Sequence, residues 1–243
     1  MLARLAPTLL VLLFAALPGP APYAQSRAAE LAGAWSSSYD PGDGSTVNLL
    51  LIVADGHFAM TSYSDQEFLA TLGGSYRADG KTFSVTYDFD TSAPENVGTR
   101  AAMPYTLTGN LLLFNGTKAW TRVDDGRGSP LAGAWLISGR KRDGEMRRNF
   151  QTGPRKTMKI LSGGRFQWIA YNEDSGEFFG TGGGRYSTKT SGTYIEKIDF
   201  FSRDNARVGD QLSFDYKIRN GEWHHSGVSS KGEPLYETWA RRK

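Results

Sequence analysis

Apolar residues recur at every second position along several stretches of the chain. Phe83, Val85, Tyr87 and Phe89 form one such series, and Leu212, Phe214, Tyr216 and Ile218 form another. A period of two places these side chains on one face of a β-strand and the intervening polar residues on the other. Turn formers such as Ala78-Asp79-Gly80, Thr108-Gly109-Asn110 and Arg219-Asn220-Gly221 interrupt the runs, roughly every eight to twelve residues. No segment carries the apolar stripe of an amphipathic helix. The pattern therefore predicts an all-β chain of short antiparallel strands. Such strands either close into an up-and-down barrel or stack as a sandwich, and closure is expected because it leaves no strand edges free to pair with other chains.

The apolar pattern also repeats on a larger scale. Leu31-Ala32-Gly33-Ala34-Trp35 recurs unchanged as Leu131-Ala132-Gly133-Ala134-Trp135. Gly56-His57-Phe58 is answered by Gly164-Arg165-Phe166, Gly73-Gly74-Ser75-Tyr76 by Gly183-Gly184-Arg185-Tyr186, and Trp120-Thr121-Arg122 by Trp239-Ala240-Arg241. A correspondence running the length of both halves predicts two tandem small barrels of about eight strands each. The expected units are residues 25–123 and 131–243. They are joined by 124–130, Asp124-Asp125-Gly126-Arg127-Gly128-Ser129-Pro130, whose turn formers and charges suit a short linker.

Residues 1–24 have the parts of a secretory signal peptide: Arg4, an apolar run from Leu9 to Leu17, and a Pro/Gly/Ala segment ending at Ala24. The run is short for a membrane span, which needs about 20 apolar residues. The chain has no cysteine, which excludes disulfides, thiolate metal sites and lipidated cysteine. Export without disulfides points to a bacterial periplasmic or secreted protein. With 28 basic against 25 acidic residues, there is no broad basic field, so nucleic acid is not an expected partner.

Gly33-Ala34-Trp35 and Gly133-Ala134-Trp135 look like the G-x-W that opens the first strand of lipocalins and related calycin barrels. Each unit also ends in a matching arginine. The resemblance implies that Trp35 plugs one end of its barrel under Arg122, and Trp135 under Arg241. A guanidinium over an indole face gains cation–π attraction while closing the floor. The units are shorter than ordinary lipocalins and lack the second lipocalin motif and a C-terminal helix. They more closely resemble bacterial secreted lipocalin-like domains of unknown function, a likeness that implies ligand binding only.

Comparison of the copies isolates residues that barrel packing alone does not explain. Glu196 stands at the place of Val85, in a register with Tyr194, Ile198 and Phe200. A carboxylate on an apolar face is costly unless paired. Leu111-Leu112-Leu113-Phe114 becomes Glu222-Trp223-His224-His225, so one of the two histidines must point inward, and Trp168 replaces Met60. These substitutions suggest a ligand pocket in the second barrel lined by Trp168, Tyr186, Glu196, Phe214 and His224 or His225. In the alternative, Glu196 faces solvent after a bulge or pairs with Lys197 or an arginine within a filled core. Arg165 and Gln167, on the opposite face of their strand, are expected to be solvated. Adjacent strand residues face opposite ways, so His224 and His225 are not expected to share a metal ion, and no cofactor is expected.

The second unit gathers Arg140, Lys141, Arg142, Arg147, Arg148, Arg155 and Lys156 near its first turn. There they are either a solvated hairpin or a patch for an anionic glycan or lipid headgroup. Gly180-Thr181-Gly182-Gly183-Gly184 lacks the helix a phosphate loop needs, and glycine pairs in strands mark bends or bulges. No nucleophile elbow or other catalytic motif is present. Glu177 with Glu196 would supply a carboxylate pair for a glycan-acting enzyme. The expected function is binding of a small apolar or amphipathic ligand; the alternatives are an enzyme using Glu196 and a packed scaffold for a partner protein or the cell envelope.

Overall fold

The computed structural model describes residues 29–65, 67–148, 152–229 and 232–243; the expected signal peptide, 1–24, lies outside them. The described chain is all-β and forms two closed antiparallel eight-stranded barrels in tandem. The first runs through β1 (Gly33–Tyr39), β2 (Val47–Ala54), β3 (His57–Tyr63), β4 (Phe68–Ala78), β5 (Thr82–Asp90), β6 (Arg100–Thr108), β7 (Leu111–Phe114) and β8 (Lys118–Asp124), with β8 pairing back onto β1. In the second, β9 (Gly133–Arg142) is extended by a hairpin to β10 (Glu145–Arg147). The wall continues through β11 (Arg155–Leu161), β12 (Arg165–Asn172), β13 (Phe178–Thr188), β14 (Thr193–Phe201), β15 (Gln211–Arg219), β16 (Glu222–Val228) and β17 (Pro234–Arg241), and β17 closes on β9.

Both copies use the same devices to close. The Trp35 and Trp135 indoles are buried and donate to the Leu31 and Leu131 carbonyls at 2.9 and 2.8 Å. The Arg122 and Arg241 guanidiniums lie 4.0 and 3.8 Å from the respective ring centroids. Each arginine also donates to the backbone carbonyl of Ala32 or Ala132, so it fixes the chain entering the barrel as well as capping the ring. The paired glycines coil the sheet: the register of β4 on β5 shifts between Gly73 and Gly74, and that of β13 on β14 between Gly183 and Gly184. A side chain on Gly74 would run into the Thr86 carbonyl and one on Gly73 into the Phe89 ring, so only glycine allows this close approach.

The barrels are not independent bodies on a string. The outward faces of β2, β3 and β5 pack on those of β11, β12 and β14, burying Leu50, Ile52, Ala59 and Phe89 with Met158, Ile160, Ile169 and Phe200 in one apolar cluster. This explains why residues 49–54 of β2 are a continuous apolar run: they are covered on both faces. The contact is reciprocal. Phe89 meets Tyr171 at 5.0 Å, and their repeat counterparts Phe200 and Tyr63 also meet at 5.0 Å. Phe68 stacks on its own counterpart Phe178 at 5.9 Å. That is the geometry of a two-fold dimer built within one chain.

Gln167 corrects the expectation of a solvated residue. It is fully buried at this interface because its strand is covered on the outer as well as the inner face. Its amide accepts from the Thr61 hydroxyl and donates to those of Thr71 and Thr181, at 2.9 to 3.0 Å. Arg165 on the same strand stays half-exposed.

Candidate functional site

The two interiors solve the same packing problem differently. Toward its open end the first barrel leaves a cavity of about 470 Å³, within the range of small-molecule sites. Leu49, Met60, Leu72, Met103, Phe114 and Trp120 supply its apolar wall, and Tyr39 and Lys118 stand among its polar or mixed residues. Tyr39 is 45% exposed, with the Lys118 ammonium 4.6 Å from its ring centroid. Asp90 is the acid of the lining, but its carboxylate is spent on its own turn, accepting from the Ser92 and Ala93 amides and the Asn96 side chain.

In the second barrel the strand pairings place larger side chains at three of the corresponding positions. Trp168 replaces Met60, Phe214 replaces Met103, and Phe201 stands where Asp90 does, with Trp168 and Phe201 meeting edge to face at 5.6 Å. Gly182, the counterpart of Leu72, is the concession that makes room, since a Cβ there would strike both rings. Deeper in, Lys159 takes the place of Leu51 opposite the barrel-end tryptophan. Its ammonium lies 3.0 Å from Glu196, both side chains about 5–6% exposed. It is also 4.9 Å from the Trp223 centroid, 5.2 Å from Tyr194 and 5.3 Å from Trp239. An ion in low dielectric needs this combination of counter-charge and ring faces to offset its lost hydration.

A second buried group adjoins the first. Glu237 is bonded by Arg140, and His225 Nδ1 stands 3.6 Å from its carboxylate. Burial pushes the Glu237 carboxyl up, but His225 and the charges of Arg140 and Lys159 outweigh it and hold it at about 2. Burial and Lys159 likewise push the His225 imidazole below its ordinary value, so the ring is neutral at pH 7. We assign the Glu237 charge chiefly to the Arg140 contact.

The residues expected to line a second-barrel pocket are therefore brought together, with one exception. Trp168, Tyr186, Glu196, Phe214 and His225 lie inside the second barrel, where they pack against one another and against Lys159. The partner of Glu196 is Lys159, not Lys197 or an arginine. His224 points outward and accepts or shares a hydrogen bond with the Tyr236 hydroxyl at 2.8 Å. It belongs to an outer groove of about 340 Å³ with Asp215, Lys217 and Arg219. Of the basic cluster, Arg140 is bound to Glu237, Arg147 approaches Asp143 at 3.9 Å and Arg148 approaches Glu222 at 3.3 Å. Lys141 and Arg142 are exposed on the β9–β10 hairpin. Glu177 is exposed in the β12–β13 turn, whereas Glu196 is enclosed. Among the described residues, no group of three His, Cys, Asp or Glu side chains is placed to hold a metal ion.

Sequence reasoning missed Lys159 and the first-barrel cavity. Lys159 was legible once the repeat had been aligned strand by strand, as the one charged counterpart of an inward leucine. The cavity was not, because it is a difference in volume between similar apolar residues.

A family described as a domain of unknown function, DUF4488, matches residues 130–243, the second barrel. No curated protein matches the chain. Among solved structures, an uncharacterized protein from Saccharomyces cerevisiae is similar, at 12% identity and a TM-score of 0.45, over 86% of this chain and 99% of that one.

Proposed function

We propose that this protein is a lipocalin-like binding protein, exported to the periplasm or the cell exterior, whose first barrel takes up a small apolar or amphipathic molecule and whose second barrel is the packed support. One observation carries the reading: the cavity of about 470 Å³ in the first barrel lies where Trp168, Phe201 and Phe214 fill the second. Apolar walls with few polar groups are the usual make-up of a small-molecule site. The N-terminal apolar run supports export. An enzyme acting through Glu196 is not favoured, since that carboxylate is bound by Lys159 inside a filled interior.

The test transfers the second barrel's solution into the first. Titration with the neutral fluorophore N-phenyl-1-naphthylamine should show saturable uptake by the wild type. The double variant Met60→Trp/Leu72→Gly should bind at least about tenfold more weakly, which is about 1.4 kcal/mol, with an unchanged far-UV spectrum. Equal uptake by both proteins, or none by the wild type, would overturn the proposal.

A further inference from the structure

We infer that the first-barrel ligand carries a single negatively charged head, held at the mouth by Lys118, with its apolar body directed into the barrel. The inference rests on the binding role proposed above and adds the chemical class of the ligand: a monoanionic amphiphile bearing a carboxylate, sulfate or phosphodiester group.

Lys118 is the cation of the cavity lining. Among the described residues no carboxylate lies within ion-pairing distance of it, and its recorded contact is the Tyr39 ring at 4.6 Å. Asp90, the acid in the same lining, already accepts three hydrogen bonds from its own turn and is 5% exposed. The cavity therefore presents one half-buried positive charge without a counter-ion beside an apolar wall.

The second barrel supplies the internal control. The repeat alignment and the pairing of β8 on β7 and of β17 on β16 put Glu237 at the place of Lys118. There the charge is answered from within the protein by Arg140. In the same barrel the inward ammonium of Lys159 is answered by Glu196. Each inward charge of the filled barrel thus has a partner, and the inward-lining cation of the open barrel does not. A charge at a partly desolvated mouth gains more from an opposite charge than one in bulk water does, because the local dielectric is lower. Such a group orients an amphiphile head-out, and the apolar wall below it accepts the tail.

The Trp120 indole N–H in this wall is buried and has no partner. Its counterpart Trp239 is also without one, inside the filled barrel. That donor therefore does not discriminate a ligand, and Lys118 alone carries the inference.

The experiment compares two fluorophores of similar ring system on the full chain, neutral N-phenyl-1-naphthylamine and anionic 8-anilino-1-naphthalenesulfonate. The wild type should bind the sulfonate more tightly. Lys118→Gln should weaken the sulfonate at least about tenfold and leave the neutral probe within about twofold, and Lys118→Arg should retain sulfonate binding. Met60→Trp/Leu72→Gly should lose both probes, which localises them to the cavity. If Lys118→Gln leaves sulfonate affinity unchanged, or weakens both probes equally, the anionic head is refuted while neutral-probe uptake still upholds the cavity as a binding site. If the wild type takes up neither probe, the binding role itself fails and this inference with it.

Discussion

The first barrel keeps a hole where Trp168, Phe201 and Phe214 fill the second, although the two share a floor, a set of glycine bends and a strand order. At the floor, indole, guanidinium and carbonyl recur almost atom for atom. Above it, Leu51 and Val85 of one barrel become Lys159 and Glu196 of the other, and two methionines become a tryptophan and a phenylalanine. The lesson is that closure constrains the ends and bends of such a barrel, whereas its interior tolerates any filling that satisfies volume and charge.

The largest effect is expected when the second barrel is given the first one's residues, singly and together. Glu196→Val leaves the Lys159 ammonium buried without a counter-charge and should cost about 3–5 kcal/mol in urea unfolding. Lys159→Leu/Glu196→Val restores the apolar pair found in the first barrel. It should return to within about 1 kcal/mol of wild type or exceed it, as buried ion pairs replaced by apolar residues often do. A double variant as damaged as the single one would mean that the charges are needed for more than each other.

Next in size is the contact between the barrels. Gln167→Ala strips hydrogen-bond partners from three buried threonine hydroxyls and should cost about 1–3 kcal/mol, seen as a lower urea midpoint. No change would mean that the hydroxyls re-pair among themselves, for which the 2.9 Å contact of Thr61 with Thr71 is the starting point.

The smallest effect is a pH dependence at His57, a nearly enclosed ring whose repeat counterpart is the half-exposed Arg165. Burial and the nearby Arg242 charge lower it from 6.5 to about 4. The folded chain therefore holds this ring neutral where the unfolded chain protonates it. The associated stability is complete above about pH 6.5 and is lost as pH falls toward about 4. His57→Gln should flatten the fall in stability across that window by on the order of 1 kcal/mol. An unaltered slope would assign the fall to other groups, such as Glu237, whose loss of charge belongs lower, as pH approaches about 2.

Much of the architecture was legible in the sequence because its cues are local. Alternating residues such as Phe83 and Val85 report a strand face, and the exact recurrence of Leu31–Trp35 reports a second unit. Glu196 and the inward histidine were legible as misfits in an apolar register. The partner of Glu196 lies 37 residues away on a strand separated from it around the wall, and only the closed geometry brings Lys159 across. The solvation expected for Gln167 failed because alternation distinguishes two faces of a strand but does not tell whether the second meets water or another barrel. Cavity volume was hidden for a related reason: methionine and phenylalanine read alike as apolar, and their difference matters only after all the walls are in place.

The reciprocal contact of Phe89 with Tyr171 and of Phe200 with Tyr63 has a further consequence for how the halves could diverge. A dimer of separate identical barrels must keep each change acceptable on both sides of its axis, and its assembly depends on concentration. Joined by a seven-residue connection, the halves meet at an effective concentration on the order of millimolar, so occupancy of the interface no longer limits either one. Asymmetric substitutions then become admissible, such as Gln167 facing the site of its counterpart Ala59, or Arg242 reaching across to Asp88 where the other half has Val123. Tethering is thus what lets one barrel stay open while its twin is filled.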